Sequence, residues 1–276
     1  MGDRAPDGSA ASNRLQFGDH PGGCNRAPGC ELPAMAQHGR RNFEAVDVSR
    51  LTARVEAARV RAYCCTMTLI DLTAFAATPV ASDPFTHVVV PGFVPQPGLD
   101  AVVGGLPALA KGGSFPTTGL RLGDAARSLM GELEGPGFRH AVEQKFGLTL
   151  DNAPTMVTLR GQSREKDGRI HCDSVAKRVT VLLYLNPETA DWARQDGCLR
   201  LLRTPDNLDD YVVEVPPVNG TLLVFPNGPT TWHGHRQFVG PRFVVQLNWM
   251  TTDNKAKYEM RRHHVSAFMK RLTRAA

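Results

Sequence analysis

Between residues 153 and 250 apolar positions come in short β-rich bursts, each closed by Gly, Pro, Asn or Asp. They predict strands at Thr155 to Arg160, Arg169 to Asp173, Arg178 to Asn186 and Cys198 to Arg203, then at Tyr211 to Val215, Thr221 to Phe225, Thr231 to His235 and Arg242 to Met250. About eight strands at turn-separated spacing suit a jelly roll, or double-stranded β-helix, in which residues far apart in sequence meet inside one mouth. Residues 67–152 read differently, with one strand at Thr86 to Val90 and then helical spacing. Leu99, Val102, Val103, Leu106 and Leu109 share a helix face within Pro97 to Ala110, and Leu122 to Glu134 and Phe138 to Phe146 repeat the pattern. Gly135-Pro136-Gly137 separates the last two. The expected class is α+β: a jelly-roll core at 153–250, braced on an outer face by the helices of 67–152 and followed by a basic C-terminal helix at 251–276.

Residues 1–66 are rich in Gly, Ala, Pro and Arg and offer one helix-like stretch near Val48 to Ala62, too little for a core. They are expected to be disordered. Their first thirty residues hold no apolar segment of the kind secretion uses, and patterned sequence begins just after Met67, which makes Met67 a candidate start. The chain has 276 residues, 42% of them hydrophobic, with no apolar run long enough for a bilayer, so a membrane partner is not expected. Its six cysteines lack paired zinc-finger spacing and read as reduced thiols of a cytoplasmic protein. A formal charge of +5 is mild and concentrated in Lys255 to Arg274. Such a tail is more often a solvated helix face than a nucleic-acid contact.

The chemistry concentrates in His171-Cys172-Asp173, in Trp232-His233-Gly234 about sixty residues on, and in Arg242, nine residues past His233. On an extended segment His171 and Asp173 would leave one face together. Two imidazoles and a carboxylate on one side of a metal, with other positions open, suit a non-haem Fe(II) oxygenase. A bare His-x-Asp is a weak signal; the strands flanking each candidate ligand strengthen it.

These residues, with Tyr184-Leu185-Asn186, Gly197 and the Leu-Arg-Leu-Leu after it, Gly220 to Phe225 and Gly240-Pro241-Arg242, resemble the 2-oxoglutarate and Fe(II)-dependent dioxygenase superfamily in its prolyl-4-hydroxylase-like branch. The resemblance runs over roughly residues 83–250, opening at Pro84 to Phe93, and departs at Cys198, where many relatives carry a small or acidic residue. It implies that His171, Asp173 and His233 bind iron. It further implies that Arg242 pairs with the far carboxylate of 2-oxoglutarate, with Tyr184 as a second donor. A guanidinium fork matches a carboxylate bidentately and keeps its charge. The implied reaction consumes O2 and releases succinate and CO2, most simply to hydroxylate a peptidyl proline or a small-molecule or saccharide-linked substrate. Ascorbate (vitamin C) is the auxiliary reductant relatives use.

Each residue also has a plainer reading. His235, two residues past His233, would point the same way on a strand, and the interval to Arg242 that the family implies is what favours His233. His263 and His264 lie in the basic tail and read as solvated. Cys172 is expected to face away from the site as a small packed residue. Arg160, Arg164 and Lys166 read as an exposed loop, although at the mouth of a site they could meet an anionic substrate. Trp192, in the loop Glu188 to Asp196, could stack on a ring or simply pack. The contrasting function is a cupin-like metal-binding sensor or binding module, in which a cation aimed at a dicarboxylate would have no purpose.

Overall fold

A computed structural model describes residues 68–188, 196–252 and Tyr258. The expected disorder of 1–66, the start at Met67, the stretch Val48 to Ala62, Trp192, His263, His264 and the C-terminal helix past residue 252 lie outside the described residues.

The described elements run α1 (Leu72–Ala77), β1 (Val88–Val90), α2 (Gly98–Gly104), β2 (Phe115–Pro116), α3 (Asp124–Glu134) and α4 (Pro136–Phe146). Then come β3 (Thr155–Ser163), β4 (Lys177–Tyr184), β5 (Leu199–Leu202), β6 (Tyr211–Val215), β7 (Leu222–Pro226), β8 (His233–Gly234) and β9 (Gly240–Met250). A six-stranded sheet takes the order β1-β7-β4-β9-β3-β2 and a three-stranded sheet the order β6-β5-β8, with all pairings antiparallel. This is the expected α+β jelly-roll arrangement.

Period-two alternation decides what each face of the large sheet does. Val179, Val181 and Leu183 of β4, Val245, Leu247 and Trp249 of β9, and Val157 and Leu159 of β3 pack in one buried cluster with Val102, Leu129, Leu133, Phe138 and Val142 of the helices. Phe138 sits 5.9 Å from the Trp249 ring and 5.7 Å from Phe75 between centroids. Such aromatic pairs are worth about 0.5–1.5 kcal/mol each beyond their buried area. The intervening residues Leu182, Tyr184, Leu223, Phe225 and Val244 meet Leu199, Leu201 and Val215 of the small sheet in a second cluster. The helices therefore brace the outer face, as expected, and leave the inner face to the mouth between the sheets.

Several boundaries differ from the sequence expectations. Arg169 to Asp173 is not a strand: only His171 pairs, through a single bridge to His233. The region 153–250 accordingly holds seven strands among the described residues. The helix expected over Pro97 to Ala110 stops at Gly104, where Gly105 donates to the Val102 carbonyl and turns the chain. Gly135 ends α3 and caps α4, with Pro136 in the first turn of α4, where its missing N–H is no loss.

Candidate metal centre

The inner-face residues of three neighbouring strands converge on one cavity of about 90 Å³. Strand β4 contributes Thr180, Leu182 and Tyr184, β9 contributes Arg242, Val244 and Gln246, and β3 contributes Arg160, Gln162 and Ser163. The opposite wall carries Leu199, His233, Gly234 and His235, and His171 and Asp173 reach in from the segment before β4. Arg160 and Gln162, two apart on β3, face the cavity together, and the register shift beside them places its extra residue on β9, between Pro241 and Val244. Gly161 lies between Arg160 and Gln162, where a Cβ would sit 2.6 Å from Leu109.

His171, Asp173 and His233 come together at one end. Their ligand atoms all lie within 4.8 Å of one another, and the two rings are 4.4 Å apart. Reciprocal backbone bonds hold the histidines side by side, His171 N to His233 O and the reverse, both at 3.0 Å. Each ring is oriented by the carbonyl two residues before it: His171 Nδ1 is 2.8 Å from Arg169 O, and His233 Nδ1 is 2.9 Å from Thr231 O. With Nδ1 donating, both Nε2 lone pairs are left for a metal.

Asp173 is held as firmly. Oδ1 accepts from Lys177 Nζ at 2.6 Å and Oδ2 from Thr180 Oγ1 at 2.5 Å. Burial alone would raise its pKa, but the charges of Lys177 and His233 and these two donors outweigh burial and keep the carboxyl below its ordinary range. Asn227 ties down the backbone around it, donating from Nδ2 to the carbonyls of Ser174 at 2.9 Å, Lys177 at 3.2 Å and Asp173 at 3.3 Å. Burial pushes the His233 imidazole down to about 4, with His171 reinforcing and Asp173 opposing the shift. A neutral, desolvated imidazole is the form that ligates.

His235 lines the same cavity but does not join the cluster of three. Its Nδ1 lies 2.8 Å from Arg236 O, and burial, reinforced by Arg242, pushes it down to about 4. Gly168 makes this packing possible. It has φ +91°, and a Cβ there would lie 2.5 Å from the His235 ring.

Away from the metal cluster, Arg242 is 8% exposed and has no carboxylate partner among the described residues. Its Nε donates to Gly197 O at 3.0 Å, and its guanidinium carbon stands 5.3 Å from the Tyr184 ring centre. Arg242 Nη2 and Tyr184 Oη are both buried without a hydrogen-bond partner. Burial raises the Tyr184 pKa against the pull of Arg242, so the phenol keeps its proton and can donate. Asn186 fixes the neighbouring backbone by accepting from Phe243 N at 2.6 Å and donating to Phe243 O at 3.1 Å.

Two orphaned donors at one end of a cavity and three convergent ligand atoms at the other fit a divalent metal with a dicarboxylate chelated to it. Cys172, expected to face away from the site, is absent from the cavity lining; it is half-buried, with Sγ 3.5 Å from Pro229 O. Lys177, Thr180 and Asn227 carry no motif of their own and were not singled out by the sequence. Their roles come from folding Asp173 back against the start of β4 and the end of β7.

Residues 160–250 match the family described as the 2OG-Fe(II) oxygenase superfamily. No curated protein matches. Among solved structures the chain is similar to a Pseudomonas putida prolyl-4-hydroxylase at 17% identity, covering 66% of this chain and 92% of that one with a TM-score of 0.43. It is also similar to a prolyl 4-hydroxylase from Phytophthora capsici, at 14% identity, 69% and 68% coverage and a TM-score of 0.46. A 2OG-Fe(II) oxygenase family oxidoreductase from Burkholderia pseudomallei is similar at 13% identity, 65% and 90% coverage and a TM-score of 0.43.

Proposed function

We propose, on the match of residues 160–250 to the 2OG-Fe(II) oxygenase superfamily, that the chain is an Fe(II)- and 2-oxoglutarate-dependent dioxygenase acting as a hydroxylase. Its substrate in this reading is a peptidyl proline or a small-molecule or saccharide-linked compound, and its co-products are succinate and CO2. The observation that carries the reading is one cavity holding both the His171, Asp173 and His233 cluster and the unpaired donors of Arg242 and Tyr184. A metal-binding module without oxygenase activity would need the first and have no use for the second.

When bound, iron with 2-oxoglutarate supplies the oxidising chemistry that the side chains lack. The protein's own part is to hold and orient. His171 and His233 offer Nε2, and Asp173 offers a carboxylate whose direction Lys177 and Thr180 set. Arg242 and Tyr184 take the far carboxylate in a buried place where charge-assisted bonds are strong. Leu182, Leu199 and Val244 keep the wall between these ends apolar and limit water. Ascorbate belongs to the proposal as the reductant that returns oxidised iron to Fe(II). A reducing cytoplasmic setting belongs to it too. Among the described residues no helix is long and apolar enough to cross a membrane.

The deciding experiment is anaerobic titration of the Fe(II)-loaded protein with 2-oxoglutarate, following the visible metal-to-ligand charge-transfer band. The band is expected to appear and to be lost in His171→Ala, Asp173→Ala and His233→Ala, with His235→Ala milder. Iron binding without the band would point instead to a sensor or binding module.

A further inference from the structure

We propose that Arg160 is a substrate anchor and that the substrate presents a carboxylate to it, an inference that rests on the reading of the site as a 2-oxoglutarate oxygenase. The cavity brings two guanidinium groups, Arg160 and Arg242, to a lining whose one carboxylate is Asp173. Asp173 is already paired with Lys177 at 2.6 Å. Iron's two positive charges and 2-oxoglutarate's two negative charges cancel, so the loaded cavity keeps the positive excess that Arg160 and Arg242 bring to its lining.

Asp167 answers it only in part. That carboxylate accepts from Arg164 three times, from the backbone N at 2.9 Å and Nε at 3.0 Å onto Oδ2, and from Nη2 at 2.9 Å onto Oδ1. Arg160 Nη2 stands 3.5 Å from Oδ1, an ion pair without a hydrogen bond, so two guanidinium groups share one carboxylate. Burial lowers the Arg160 pKa, with Asp167 opposing and Arg242 adding to the effect, as expected for a cation drawn out of water beside another. A half-desolvated guanidinium without hydrogen bonds is costly unless a partner arrives.

Placement separates the two arginines. Arg242 is 8% exposed, whereas the Arg160 side chain is 34% exposed. Arg160 therefore stands nearer the mouth, on the side from which a substrate enters. Gln162, next on the same strand and also lining the cavity, supplies an amide donor beside it. One planar fork with one amide suits a carboxylate, whereas a phosphate is more often met by several cations or a nest of backbone N–H groups. The carboxylate can belong to a free acid or to an acidic side chain of a peptide.

Three probes test this on protein loaded with Mn(II) and 2-oxoglutarate, read by paramagnetic broadening of the acetyl methyl signal in NMR. N-acetylglycine carries a terminal carboxylate, N-acetylaspartic acid α-amide a side-chain carboxylate, and N-acetylglycinamide none. At least one acid is expected to broaden at concentrations where the neutral amide does not, and the stronger of the two identifies the source. Arg160→Met should raise the half-saturating concentration at least about tenfold, the worth of a charge-assisted bond, while 2-oxoglutarate still binds. The proposal is overturned by equal broadening from the amide, by no broadening from either acid, or by an Arg160→Met variant that binds the acids as before. It is also overturned if Arg160→Met loses 2-oxoglutarate as completely as Arg242→Met, since Arg160 would then hold the co-substrate. Failure of the unmodified chain to bind Mn(II) or 2-oxoglutarate would instead remove the oxygenase reading, and this proposal with it.

Discussion

Replacing Arg242 with Met separates what a residue does for the fold from what it does for a ligand. In the unliganded protein Arg242 makes one charged hydrogen bond, Nε to Gly197 O at 3.0 Å, and a cation–π contact at 5.3 Å with Tyr184. Losing these costs about 1.5–3 kcal/mol and about 0.5–2 kcal/mol respectively. Against that, Nη2 is buried without a partner, and removing it returns about 1–3 kcal/mol. The expected net loss is about 1–2 kcal/mol, well below the roughly 3–5 kcal/mol that follows breaking a true buried ion pair. The effect on 2-oxoglutarate should be far larger in proportion. Two charge-assisted bonds at about 1.5 kcal/mol each correspond to about a hundredfold in affinity. Urea unfolding of the metal-free protein gives the first number and anaerobic titration of the iron-loaded protein gives the second. Destabilisation above about 4 kcal/mol would show that Arg242 serves the fold more than the ligand, and unchanged 2-oxoglutarate affinity would refute its pairing with the co-substrate.

Acid should destabilise the metal-free protein. His233 and His235 titrate near 4 when folded and near 6.5 when unfolded. The unfolded chain therefore binds more protons in that interval, and the stability present above pH 6.5 is lost as pH falls toward 4, by up to roughly 3 kcal/mol per histidine. Urea midpoints at pH 7 and pH 5 check this, and equal midpoints would contradict it. Asn227→Ala removes three bonds to the backbone around Asp173 and should cost about 2–3 kcal/mol and weaken divalent-metal binding. Calorimetric metal titration beside a denaturant melt measures both, and wild-type metal affinity in the variant would show that Asp173 needs no such support. Gly168→Ala forces a side chain into a φ of +91° and against the His235 ring. It should cost about 2 kcal/mol or more and shift the His235 ring resonances, whereas a silent substitution would show that the loop yields.

The sheet was readable because its strands are nearly unbroken apolar runs, and the positions of β4, β6, β7 and β9 fall within a few residues of the expected ones. The ligand segment was misread as a strand because Arg169 to Asp173 has the polar alternation of one. What fixes it is a single bridge and the amide of Asn227, a residue that a sequence presents only as part of a Pro-Asn-Gly-Pro turn. His171, Asp173 and His233 could be chosen by motif, and His233 over His235 by the interval to Arg242, whereas the 4.4 Å between the His171 and His233 rings is a fact of the fold. Lys177 and Thr180 stayed hidden because their partner is reached only after the chain folds back at residues 174–177. Arg160 could be named as a charge near a mouth, but that it shares its nearest carboxylate with Arg164 is a fact of three dimensions.

On β3, β4 and β9 alternate residues belong to separate clusters, one against the helices and one around the cavity. Two sets of requirements are thus interleaved along the same strands without sharing positions. Selection acting on what the cavity accepts can rewrite residues 160, 162 and 246 while their neighbours 159 and 247 go on holding the helices. The cost is intolerance of insertions and deletions: one residue added to β4 or β9 would exchange the sets, setting Leu183 or Leu247 in the cavity and Tyr184 or Gln246 against the helices. Lineages of this architecture should therefore diversify by substitution within these strands and confine length changes to the loops between them.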